Sequence, residues 1–117
     1  EATMVRHEND VQSVEMKGDG VVGVTKRIMI GPDDGYDGFF RVFIVQPGGK
    51  SPYHAHEWFH ANYVLEGRGK VVIDGVEHPV EAGASAYIEG GKQHNFVNTG
   101  TEPLKFICLV PRSGDSY

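Results

Sequence analysis

Short apolar runs separated by glycine- and proline-rich steps set the pattern of this chain. Val21 to Ile30 (VVGVTKRIMI) is rich in β-branched residues and ends at Gly31-Pro32-Asp33-Asp34-Gly35, where proline fixes φ and glycine frees it. Phe39 to Gln46 (FFRVFIVQ) predicts a second strand that stops at Pro47-Gly48-Gly49. Phe40, Val42 and Ile44 fall on one face of that strand, and Phe39, Phe43 and Val45 on the other, with Arg41 as its one charge. A strand with one solvated face alternates apolar with polar residues, so this strand is expected to be covered on both sides. A chain this short has little to spare for a covering layer, and a second copy, giving a homodimer, is the expected source.

Further along, Lys70 to Ile73 and Val76 to Val80 flank Asp74-Gly75, the signature of a two-residue hairpin with a type I′ turn. Ala84 to Ile88, His94 to Asn98 and Leu104 to Val110 predict three more strands, and Leu104, Phe106, Cys108 and Val110 share one face of the last. Glu1 to Asp19 is polar with scattered Val and Met and reads as an arm that adds an edge strand or crosses to a neighbouring subunit. No helical period lasts beyond a turn or two. The fold class expected is all-β, with eight or more short strands. A barrel or jelly roll is the usual way to remove so many edges.

The 117 residues suit one domain, divided here into an arm over 1–20 and a domain over 21–117. The formal charge of −5, without a clustered excess of Lys and Arg, argues against a nucleic-acid partner. No stretch has the length of a membrane span and the N-terminus lacks a basic-then-apolar signal. No membrane partner is therefore expected, and the expected location is cytoplasmic. The chain opens Glu1-Ala2-Thr3 ahead of Met4, residues that suggest addition or processing. A single cysteine, Cys108, rules out an internal disulfide and fits a reducing compartment.

The candidate chemistry lies in His54-Ala55-His56-Glu57-Trp58-Phe59-His60. If this stretch is extended, residues 54, 56 and 60 point to one side. Three neutral imidazoles converging on a point form a metal site. A lone HxH is weak evidence, and the surroundings carry the case.

Gly48, five residues, His54, one residue, His56, three residues, His60, six residues, Gly67 resembles the first motif of the cupin family, in which the position of His60 is usually glutamate. Gly83, five residues, Glu89, one residue, Gly91, two residues, His94, three residues, Asn98 resembles the second motif, with Glu89 where proline is usual. The two motifs span residues 48–98 in the right order. The resemblance implies a cupin double-stranded β-helix, a jelly-roll barrel with a metal inside. It also implies a ligand set of His54, His56, His60 and His94, as in the small single-domain cupins with four-histidine sites.

Replacing glutamate by imidazole keeps the full charge of a divalent ion and favours borderline transition metals. One ion per chain is expected, Mn, Fe or Cu first, with Ni, Co or Zn as alternatives. Four ligands on an octahedral ion leave two positions for substrate or oxidant, as in catalytic rather than closed structural sites. Cupins include oxygenases, decarboxylases, isomerases and binding proteins, so the fold does not fix the reaction. The site chemistry favours dioxygenase-type oxidation of a small organic substrate by dioxygen or peroxide. The alternatives are a sensor or carrier without chemistry, an isomerase, and a purely structural metal.

Six further residues are pocket candidates. Phe106 and Cys108 face the metal if their strand face is the inner one, although a buried thiol among aliphatics more often fills core. Arg41 either binds an anion in the pocket or joins a buried or interfacial ion pair. Trp58, with Phe59, either lids the mouth or packs a loop, and Tyr53 and Phe96 flank ligands in sequence. His7 and His78 are expected to face solvent, and Glu57 and Glu89 are not expected to be ligands.

Overall fold

The computed structural model describes residues 3–115; the first two residues of the expected arm and the last two of the expected domain lie outside them. Nine strands follow in order: β1 (Val14–Glu15), β2 (Val22–Ile30), β3 (Gly38–Lys50), β4 (His60–Glu66), β5 (Arg68–Ile73), β6 (Val76–Glu81), β7 (Ser85–Ile88), β8 (His94–Asn98) and β9 (Leu104–Pro111). Three short 3-10 turns complete the described elements. All pairings are antiparallel and follow the order β6-β5-β8-β3-β9-β4-β7, with β2 alongside β3 and β1 alongside β2. The sheet curls into a half-barrel, so the chain is all-β as its short-strand pattern requires. No helix among the described residues is long and apolar enough to cross a membrane.

The inner face of the curl holds the core. On β9, Leu104, Phe106, Cys108 and Val110 are all buried while the residues between them are half-buried, the period of two expected of a strand with one face inward. Val24, Phe43, Val45, Val64, Val71, Ile88 and Phe96 join them. Full burial of each such apolar side chain contributes about 1.5–3 kcal/mol before the entropy of ordering is counted.

Local turn chemistry follows the sequence closely at the β5–β6 hairpin. Asp74 at φ 47° and Gly75 at φ 80° have the paired positive φ of a type I′ turn. Gly67, at φ 80°, closes the β4–β5 corner, where a Cβ would overlap the carbonyl of Pro103.

Two expectations are corrected. β3 does not stop at Pro47 but runs on to Lys50, because residues 46–49 bulge between the Val24–Val45 and Val22–Lys50 pairs, with Gly48 at φ 80° in the bulge. That extra length lets Lys50 reach Val97 on β8, which ties the two halves of the curl together. The histidine stretch is not a strand: His54 forms an isolated bridge with His94, residues 57–58 bend, and only His60 opens β4.

The arm adds its edge strand, with Val14 opposite Lys26 and Glu15 opposite Thr25. Outside the curl, Phe40, Leu109, Ala61 and Tyr87 line up in register across β3, β9, β4 and β7. Tyr63, Leu65 and Tyr87 on that side are exposed.

Candidate metal centre

Four imidazoles meet at one end of the curl. His54, His56 and His94 each offer a ring nitrogen within 4.8 Å of the others. His60 adjoins this group, its Nε2 2.8 Å from Nε2 of His56 and its ring 4.8 Å from that of His94. Backbone contacts, rather than strand alternation, bring them together. The amide nitrogen of His54 donates to the carbonyl of His94 and that of His94 to the carbonyl of His54, while the amide of Gly91 donates to the carbonyl of His56 at 2.7 Å. Gly90 packs so closely on the carbonyl of Glu57 that a Cβ there would overlap it. The second glycine-rich turn thus folds the 54–60 loop back over β8.

The other ring nitrogens fix orientation. His56 Nδ1 donates to the carbonyl of Trp58 at 2.9 Å and His94 Nδ1 to the carbonyl of Lys92 at 2.8 Å. Both Nε2 atoms therefore carry lone pairs, the arrangement by which outer partners orient histidine ligands. His94 Nε2 is buried and accepts no hydrogen bond, an orphaned lone pair that an ion would satisfy. The 2.8 Å contact between His56 Nε2 and His60 Nε2 is a hydrogen bond, which His60 would have to give up to join the other three as a ligand. The donor set fits a borderline divalent metal.

Burial keeps the imidazoles neutral. It pushes His54 down to about 4, with the neighbouring His94 and His56 adding repulsion. It pushes His60 down to about 2, aided by His94, Arg41, His56 and His54. Burial lowers His56 and His94 as well. Neutral imidazole is the ligating form, so near neutral pH no proton has to be displaced.

Next to the histidines lies a cavity of about 30 Å³, walled by Phe43, Phe96, Phe106, Cys108 and Met16, with Ser51 and Pro52 at its side. Phe96 and Phe106 stack at 4.0 Å between centroids, and Phe106 stacks on Phe43 at 5.4 Å. Of the six pocket candidates, Phe96, Phe106 and Cys108 line this cavity and three do not. Arg41 is fully buried beside it, where its Nη1 donates to Asp115 at 3.2 Å and its Nη2 to Cys108 Sγ at 3.0 Å. Asp115 also accepts from Lys26 at 3.0 Å. Arg41 therefore takes the ion-pair role. Trp58 stacks behind His56 at 4.3 Å as packing for a ligand-bearing loop. Tyr53 is exposed and its hydroxyl accepts from the amide of Gly75, which pins the hairpin turn.

Glu57, Glu89, His7 and His78 are all exposed. Sequence reasoning missed Met16, Phe43, Ser51 and Pro52 as wall residues. Phe43 was legible, since it pairs with Phe106 on the face that holds Val45. Met16 carried no signal, being one apolar residue in a polar arm.

A family model described as "Cupin domain" matches residues 41–110. The solved structure of the polyketide cyclase RemF from Streptomyces resistomycificus superposes with a TM-score of 0.85 at 33% identity, over 94% of this chain and 80% of that one. The 1-methylthio-D-xylulose 5-phosphate methylsulfurylase of Rhodospirillum rubrum is 30% identical over 79% of this chain and 58% of its own length. An oxalate-binding protein of Thermotoga maritima is 32% identical over 55% of this chain and 54% of its own. The chain thus spans just over half the length of these two curated relatives.

Proposed function

The chain belongs to the cupin family, and from that premise we propose that it is a metal-dependent enzyme that binds one transition ion through His54, His56, His60 and His94 and acts on a small organic molecule. The observation that carries this reading is the buried, unpartnered Nε2 of His94 among three other imidazoles. A structural zinc would be closed and tetrahedral. Here His54, His60 and His94 line a cavity, so an ion held by the histidines would lie beside space that a small ligand could enter.

Mn, Fe or Cu bound there would supply Lewis acidity and one-electron chemistry to a directly coordinated ligand. The chain's own residues do the rest. The carbonyls of Trp58 and Lys92 hold two rings in the ligating tautomer, the stacked phenylalanines keep bulk water off the reacting end, and burial keeps the imidazoles unprotonated. The finer reading is dioxygenase-type oxidation, in which both atoms of dioxygen enter one substrate and no outside reductant is needed. Oxygen uptake by the iron- or copper-loaded protein with catechol as probe tests it, zinc-loaded protein serving as the blank. Uptake above the blank supports oxidation, and none at any metal removes it.

A redox-neutral reading, with the ion as Lewis acid only, is favoured by the likeness to a polyketide cyclase. Turnover in the zinc-loaded protein would select it. The homodimer stays a proposal, with the outward row of Phe40, Leu109, Ala61 and Tyr87 as its contact surface. Light scattering at micromolar concentration reads the mass, and a single-chain value removes it.

A further inference from the structure

The cavity beside the histidines is too small for the substrates the site is built to reach. Its free space of about 30 Å³ holds a few water molecules, whereas pockets for organic ligands run to about 300–1,000 Å³. Something in the wall must therefore move. Phe43, Phe96, Phe106 and Cys108 are held in β3, β8 and β9 by strand pairing on both sides. Ser51 is anchored by its hydroxyl, which accepts from the amide of Phe96 at 2.9 Å, and by its own amide, which donates to the carbonyl of Phe96.

Met16 is held differently. It follows β1, a strand of two residues paired only to the edge strand β2, and its amide makes one bond to the carbonyl of Val24. Beyond it the chain turns through Gly18 at φ 129° and Gly20 at φ 79°, where a Cβ would meet nothing within 4 Å. Even so, Met16 is only 8% exposed, packed into the core cluster and lining the cavity. A two-residue edge strand joined to glycine turns opens at far lower cost than a core strand.

We propose that Met16 is the plug of the histidine chamber, occupying the space a substrate takes, and that the strap over residues 14–20 swings out to admit it. The size of the side chain at residue 16 then sets the size of ligand accepted. The proposal rests on the reading of the chamber as a substrate site, and it also narrows the substrate class. No lining residue carries a fixed charge, so a phosphate or carboxylate held away from the ion would meet no cationic side chain in the wall. The stacked phenylalanines instead suit a compact apolar or aromatic molecule whose one polar handle is given to the ion.

Cys108, the sole cysteine, is 1% exposed and lines the chamber, so its labelling rate, compared between variants at equal metal content, reads access. Small methyl methanethiosulfonate and bulky dithiobis(nitrobenzoate) are the probes. Met16→Ala is expected to speed the bulky reagent at least tenfold and the small one less, with Met16→Leu close to wild type. Val80→Ala trims a half-buried residue that packs against the core, pairs with Gly69 and opposes no wall residue, and so controls for general loosening. Equal rates for Met16→Ala and wild type overturn the proposal, as does an equal acceleration in Val80→Ala. Failure of the metal reading would leave this comparison unaltered and show instead as absent metal binding.

Discussion

Cys108 Sγ lies 3.3 Å from Nδ1 of His60, and this contact decides which His60 nitrogen faces the other imidazoles. His56 Nε2 carries a lone pair, since its Nδ1 donates to Trp58. The 2.8 Å contact between the two Nε2 atoms therefore has His60 donating, and Nδ1 of His60 accepting from the thiol. Coordination of His60 requires the opposite tautomer, with Nδ1 donating to a sulfur that already accepts from Arg41. The thiol can play either part.

Cys108→Ala is accordingly expected to weaken transition-metal binding about 10–100-fold, the usual effect of losing an outer partner, while Cys108→Ser retains more of the affinity. Competition titration against a chelator measures it. Unchanged affinity in the alanine variant would show that His60 needs no outer partner.

Asp115 bridges Arg41, fully buried, and Lys26, 2% exposed. Asp115→Asn keeps the shape and removes the charge, so urea unfolding should show a loss of about 3–5 kcal/mol, as for other broken buried pairs. A loss below about 1 kcal/mol would mean that water reaches the pair.

Gly90→Ala should act at a distance from every imidazole. Its methyl group would overlap the carbonyl of Glu57 and push the loop that carries His56. Metal affinity is expected to fall at least tenfold, with less effect on folding than on the site. Circular dichroism with chelator competition separates the two; wild-type affinity would contradict the clamp.

The metal-free protein should lose stability as pH falls from 7 to 5. All four imidazoles lie below their ordinary value in the folded chain, His54 at about 4 and His60 at about 2, whereas in the unfolded chain they titrate near 6.5. Below about pH 6.5 the unfolded state binds protons that the folded state refuses, so stability present above that pH drains away as pH approaches the folded values. Urea midpoints across this range measure it, and His60→Leu should flatten the slope. A flat profile in the unaltered protein would contradict the burial of these rings.

Much of the fold was legible because it follows local rules. The Asp74-Gly75 turn, the alternation of β9 and the spacing of both glycine-bounded motifs are local properties of the chain. The grouping of His54, His56 and His94 was legible through the two motifs, whereas the extended strand expected to align His54, His56 and His60 is replaced by a bridge, a bend and the Gly90 clamp. The rest depends on long-range packing. Nothing near Arg41 in sequence announces Asp115 as its partner, and nothing in the polar arm marks Met16 as a wall of the chamber. Tyr53 looked like a pocket residue because it adjoins His54, but neighbours along an irregular segment need not share a face.

The central claim is a four-histidine metal centre, and metal content tests it most directly. Protein purified without added metal, then loaded and desalted, is predicted to hold one transition ion per chain by elemental analysis. His94→Ala and His60→Ala are each predicted to lose most of it while remaining folded. Stoichiometric metal retained in both variants would contradict the claim.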